Sequence, residues 1–196
     1  MNIKDRALLG LVAGLGANAV KTALSRTSIK LKMSELDGPE IGAGMFLPGH
    51  ALSAPKGKVV GYIADNLIAG ILGTATVYGL TLTGKNSYLL KGALMGQIMW
   101  QGLYGIMGQM GASQVKPSGA RTVLSELVTH TVFGTVAAAI AANLGDEGLF
   151  NGEIPITAAT IKQTKQTKQT KQAQLQYNQA PSAAPGEKRD EAAVTH

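Results

Sequence analysis

The chain has 196 residues, room for one ordinary domain, with 18 Lys and Arg against 12 Asp and Glu and a net charge of +6. It contains no cysteine, which excludes a disulfide framework, a thiolate metal site and a cysteine nucleophile. The 45% hydrophobic content and mean hydropathy of +0.10 match a soluble protein only on average: apolar windows of about 20 residues with one charge apiece lie near the start and middle of the chain, and everything after Asn151 is polar.

The first apolar segment, residues 7–24, contains GLVAGLGANAVKTAL, and three readings compete for it. Gly14-x-Gly16-x-x-Ala19 fits a loose dinucleotide fingerprint, but that motif needs a preceding strand and an acidic residue about 20 positions on at a strand end. The stretch SRTSIKLKM before Glu35 and Asp37 is no buried parallel strand. Ala17-x-Ala19 after a short basic start imitates a signal-peptidase site, yet Gly10, Gly14 and Gly16 dilute the apolar run, which continues to Leu24. A membrane-spanning helix fits best, since about 20 residues rising ~1.5 Å each cross a bilayer core.

Residues 25–58 form a loop, basic at both ends and broken by Pro39, Pro48 and Pro55. Its centre, EIGAGMFLPGHALSAP, is too short and interrupted to span; it is expected in the membrane interface or folded back on the helices. His50 within it has no second ligand nearby. The second span is expected at 59–82, the third at 89–110 and the fourth at 123–144. The last two connections are short, which makes neighbouring spans antiparallel hairpins.

Glycine is frequent in all four segments, although an interior Gly costs about 1 kcal/mol relative to Ala in a soluble helix. In a bilayer small residues let helices approach closely, and Gly10 with Gly14, and Gly92 with Gly96, have the required spacing. Met95, Met99, Met107 and Met110 carry soft thioethers, but only the first two share a face; they read as adaptable packing, and no metal or other cofactor is expected.

The tail, 151–196, contains KQTKQTKQTKQ. A three-residue repeat winds successive lysines about 60° round a helix, so no one-sided face forms and the tail is expected to be disordered. The fold class expected is all-α: a polytopic membrane protein with four transmembrane helices in a glycine-rich antiparallel bundle over residues 1–150. The alternative is a soluble helical domain rich in alanine and glycine.

The run KNSYLLKGALMGQIMWQGLYGI, Lys85 to Ile106, resembles the third span of a group of small four-span bacterial membrane proteins common among Firmicutes. The features that carry it are Tyr88 to Gly92 with Leu94, followed by the aromatic pair Trp100 and Tyr104. GLVAG and VKTAL in the first span, Pro48 to His50, and Thr129 to Gly134 match as well. The resemblance covers about the first 145 residues and implies architecture; it implies no activity.

A charge at mid-bilayer costs about 2.5 to 3.5 kcal/mol on insertion scales, so each one requires a reason. The polar set is Asn18 and Lys21, Asp65 and Asn66, Gln97, Gln101 and Gln109, and Glu126 and His130. In a four-span arrangement Lys21, Asp65, Gln109 and Glu126 share one leaflet, and Glu126 and His130, four apart, share a helix face. Lys21 is expected to pair with Asp65 or Glu126, with His130 deeper, as a pocket that binds an ion or relays protons. The competing reading is structural: Lys21 reaching back to the interface, Glu126 acting as a helix N-terminal carboxylate, and Asp65 satisfied by backbone and Asn66.

Ser125, Glu126 and His130 lack a nucleophile elbow, and neither a P-loop nor a zinc helix is present, so no catalytic residue is assigned and no enzyme is expected. The function read from the sequence is a membrane-embedded structural or partner-binding bundle; the alternative is a small channel or transporter. The partners are the lipid bilayer and a second copy or another membrane protein. The tail lysines suit anionic lipid, and no nucleic acid is expected. Localisation is the cell membrane, multi-pass. Loop charges near span ends and tail charges point to opposite orientations, and the lysine-rich tail favours its own placement in the cytoplasm.

Overall fold

The computed structural model describes residues 2–52, 54–113, 115, 119–152 and 169–176, in two units, 1–154 and 155–196. The first unit is helical; among the described residues no strand forms, and the one β-bridge joins Ile3 to Gly145. Three helices are each long and apolar enough to cross a membrane: α1 (Arg6–Lys30), α3 (Pro55–Thr83) and α5 (Ala120–Leu144).

Polarity in these helices is inverted relative to a water-soluble fold. On α1, Leu8, Leu11, Val12, Leu15 and Val20 are exposed, while Asn18, Lys21 and Ser25 are buried. On α3 the outward row is Val59, Ile63, Leu67 and Ile71, one residue per helical turn, and Asp65 faces inward. α5 exposes Leu124 and Val128 and buries Glu126, Thr129 and His130.

α1 begins at Asp5, whose carboxylate accepts the Leu8 N–H at 2.7 Å. It runs past the expected end at Leu24 because Ser25 still faces inward and Thr27 Oγ1 bonds back to the Ala23 carbonyl at 2.9 Å. Lys32, at φ 57°, then turns the chain. Ala17-Asn18-Ala19 lies within the helix, with Ala17 fully buried.

The loop between α1 and α3 folds back on the helices. A short helix, α2 (Gly38–Ala43), starts from a reciprocal cap: Asp37 accepts the Glu40 N–H at 3.0 Å, and Glu40 accepts the Asp37 N–H at 3.3 Å. α2 lies against α3, where a Cβ on Gly61 would strike the Pro39 carbonyl. His50 follows in an exposed turn, Gly49–Ala51.

Over the expected third span, 89–110, the helix changes type. α4 (Tyr88–Trp100) stops after 13 residues and a π-helical segment, Gln101–Met107, continues it. Gly102 and Gly105 weaken the α pattern within this stretch, and π turns commonly mark such local adjustments. Met95 and Met99 pack in the core, whereas Met107 and Met110 are exposed.

Two helix pairs approach backbone to backbone. α1 meets α3 at Gly10, Gly14 and Gly73, where any Cβ would collide with the opposing main chain; α4 meets α5 at Gly92, Gly96 and Gly134 in the same manner. Leu9, Ala13, Val77, Leu80, Ala138, Ala141, Leu149 and Phe150 form a dry core at one end. That end is tied by main-chain bonds, Ile3 N–H to the Leu144 carbonyl at 2.8 Å and Asp146 N–H to the Ile3 carbonyl at 3.0 Å. Arg6 adds bonds to Thr81 Oγ1 at 3.2 Å and to the Leu149 carbonyl at 2.9 Å, and Lys85 pairs with Glu147 at 2.6 Å.

In the second unit, residues 169–176 are helical and every one of them is exposed. The remainder of the tail, including most of the Lys-Gln-Thr repeats, lies outside the described residues.

Candidate functional site

The polar residues of α1, α3 and α5 converge away from the dry core. Lys21 Nζ lies 2.8 Å from Asp65 Oδ1, with both side chains less than a tenth exposed. Asn18 Nδ2 donates to the other Asp65 oxygen at 2.8 Å, so each carboxylate oxygen has a donor. The carboxylate orients the Asn18 amide, because only its NH2 end can donate. Asn18 Oδ1 is left buried without a partner.

Glu126 takes different partners. Tyr104 Oη donates to Glu126 Oε2 at 2.9 Å, Thr129 Oγ1 lies 3.4 Å from the same oxygen, and Ser25 Oγ reaches Oε1 at 3.5 Å. His130 Nδ1 lies 2.9 Å from the Glu126 carbonyl oxygen; a carbonyl only accepts, so Nδ1 carries a proton. The Tyr104 ring meets the His130 ring edge-on at 5.4 Å between centroids.

Three features of the structural reading are therefore corrected. Lys21 does not extend to an interface; it is 7% exposed and spent on Asp65. Glu126 does not serve the first N–H groups of its helix, since α5 starts at Ala120 and Glu126 faces Tyr104 and Ser25. Asp65 is not satisfied by Asn66, whose amide instead bonds the Tyr62 carbonyl at 2.8 Å. Of the glutamines, Gln97 and Gln101 are exposed and Gln109 reaches the cavity described next.

A cavity of about 450 Å³ lies among α1, α2, α3, the π segment and α5. Asn18, Lys21, Asp65, Gln109 and His130 are on its wall with Trp100 and Tyr104, and the apolar wall includes Ile68, Leu72, Leu103 and Phe133. Glu126 is not on the wall and touches it through Tyr104. α2 closes one side: a Cβ on Gly38 would sit 2.6 Å from Lys21 Nζ and 2.5 Å from Asp65 Oδ1, so a larger residue there would displace the ion pair that α2 covers.

Sequence reasoning missed Tyr104 as the Glu126 donor, Ser25 as a cluster member and α2 as the covering element. The Asp37-Gly-Pro-Glu40 cap was a readable helix signal. Tyr104 had none, because the π segment breaks the periodicity that would place it. Among the described residues no group of His, Asp and Glu is arranged to hold a metal ion. No protein-family model matches the chain, and neither a curated protein nor a solved structure matches it.

Proposed function

We propose that the chain is a multi-pass integral membrane protein of the cell membrane that acts without catalysis, as a scaffold or as a binding subunit for a second copy or another membrane protein. The single observation that carries this reading is the inverted polarity: leucine, isoleucine and valine point outward while Lys21, Asp65 and Glu126 are paired inside. In water such a surface would aggregate, whereas in lipid it is the solvated face. Four crossings are proposed, α4 and its π extension forming the third. Together they run from Tyr88 to Gln109, comparable with the ~20 residues of a span. The likeness of Lys85 to Ile106 to small four-span bacterial membrane proteins supports the same count.

The test is thiol accessibility in a chain with no native cysteine. Single cysteines replacing Ser53, Ser87, Ser118 and Ser182 are labelled in intact and permeabilised cells. Four antiparallel spans give Ser53 and Ser118 on one side, with Ser87 and Ser182 on the other, the tail in the cytoplasm; any other grouping rejects the count. Extraction at alkaline pH tests membrane integration independently.

One observation favours a second reading, a proton or ion pathway: Asp65, Tyr104 and His130 line one cavity. Reconstituted liposomes distinguish the two. Equal flux through the native chain and Asp65→Asn, or none in either, rejects the pathway.

A further inference from the structure

Two residues that line the cavity each carry a buried polar atom that the chain itself leaves unmet. Asn18, 2% exposed, has an unpartnered Oδ1 acceptor, and Trp100 has an unpartnered Nε1 donor. Buried donors and acceptors are nearly always matched in native proteins, and two unmatched groups on residues of one cavity, each covered as the side chains now stand, point to something outside the chain that matches them once they turn inward. The volume is that of a site for a small organic molecule.

The chemistry of that molecule follows from the wall. Lys21 and Asp65 neutralise one another at 2.8 Å, and Glu126 is turned away, so the cavity presents no uncompensated charge. A charged occupant would lose its hydration without gaining a counter-ion. The apolar wall of Ile41, Met45, Ile68, Leu72, Leu103 and Phe133 fits a hydrocarbon body. Asn18 Oδ1 requires a donor and Trp100 Nε1 requires an acceptor, and a hydroxyl supplies both.

We propose that this cavity binds an uncharged amphiphile, an alkyl or similarly apolar body with a hydroxyl head, the head meeting Asn18 and Trp100 after small side-chain rotations. The body packs between α2, α3 and the π segment. The proposal concerns the interior of the first unit and stands whether or not the third crossing is complete. Bilayer and aqueous phase are both sources of such a molecule, and the experiment separates them.

Trp100 is the only tryptophan in the chain, so its fluorescence reports on this cavity alone. The full chain in lipid nanodiscs is titrated with a terminally brominated decanol, a contact quencher, and in parallel with bromodecane, which has the same body and no head. The expected result is saturable quenching by the alcohol and only proportional quenching by bromodecane. Asn18→Leu is expected to weaken the saturable component about tenfold, the loss of roughly one buried hydrogen bond. Ile68→Phe, which fills the cavity without touching a polar group, is expected to abolish it. Helical circular dichroism and a monodisperse elution profile establish that both variants are folded. Repeating the titration at two lipid loadings identifies the source: a midpoint constant in mole fraction of lipid means entry from the bilayer, and one constant in aqueous concentration means entry from water. Indistinguishable quenching by the two probes, or a saturable component unchanged in both folded variants, overturns the site. Tighter saturation by brominated decanoate overturns the assignment of an uncharged head.

Discussion

The two ends of the first unit are built from the same three long helices yet hold together by opposite means. At the end near Ile3 the helices touch through glycine and alanine, Leu9, Val77 and Leu80 fill the centre, and the polar groups of Arg6, Lys85 and Glu147 bond around it. At the other end a cavity occupies the centre, and the contacts across it are Lys21 to Asp65 and Tyr104 to Glu126. A dry, close-packed end depends on shape, because dispersion falls off within an ångström of contact. A hollow, polar end depends on pairing, because each charge is stable only beside its partner. The first arrangement fixes helix positions; the second leaves room for an occupant.

Substitutions that exchange these dependencies sharpen the contrast. The largest effect is expected at the hollow end: Lys21→Met strands the Asp65 carboxylate and should cost about 3–5 kcal/mol. The pair Lys21→Met with Asp65→Leu should recover most of it, as read by thermal unfolding in detergent. No recovery would mean that the ion pair is more than a mutual neutraliser. Next comes the close-packed end, where Gly10→Val drives a side chain into the Thr74 main chain. Because backbone is less able to yield than a side chain, the loss should reach the upper part of the ~1–3 kcal/mol typical of overpacking.

Tyr104→Phe should cost about 1–3 kcal/mol by removing the donor that Glu126 Oε2 accepts from at 2.9 Å. Tyr104→Phe with Glu126→Leu should again be milder than the single change, measured as a double-mutant cycle. The smallest effect is expected at Gly102, where a Cβ would meet nothing within 4 Å. Gly102→Ala should change stability by no more than about 1 kcal/mol, towards greater stability if the π segment tolerates it. A large loss there would show that the segment needs glycine for a reason other than space.

The close-packed end was the more legible in the sequence. Apolar length located α1, α3 and α5, and the Gly-x-x-x-Gly spacings fell at helix contacts, because both signals are periodic and local. The hollow end was legible only as a set of residues. That Lys21 faces Asp65, and that Glu126 faces Tyr104, depends on how each helix is rotated about its axis. That rotation is set by which small residues meet across the interface, information spread over three segments. α1 overran its expected end because Ser25 looks like loop chemistry until its inward direction is known. The break of α4 at Trp100 had no signal beyond glycine content, which the sequence shares with unbroken α3.

The Ile3 bridge to Gly145 and the Arg6 bond to the Leu149 carbonyl join the two extremities of the helical unit. During synthesis Ile3 and Arg6 must wait, unlatched, until Gly145 and Leu149 have been made. The α1 and α3 pair can form early through its glycines, but the clasp closes last. A ribosome stalled before Leu144 should therefore present a nascent chain whose N-terminal residues remain open to protease, and release of the stall should protect them.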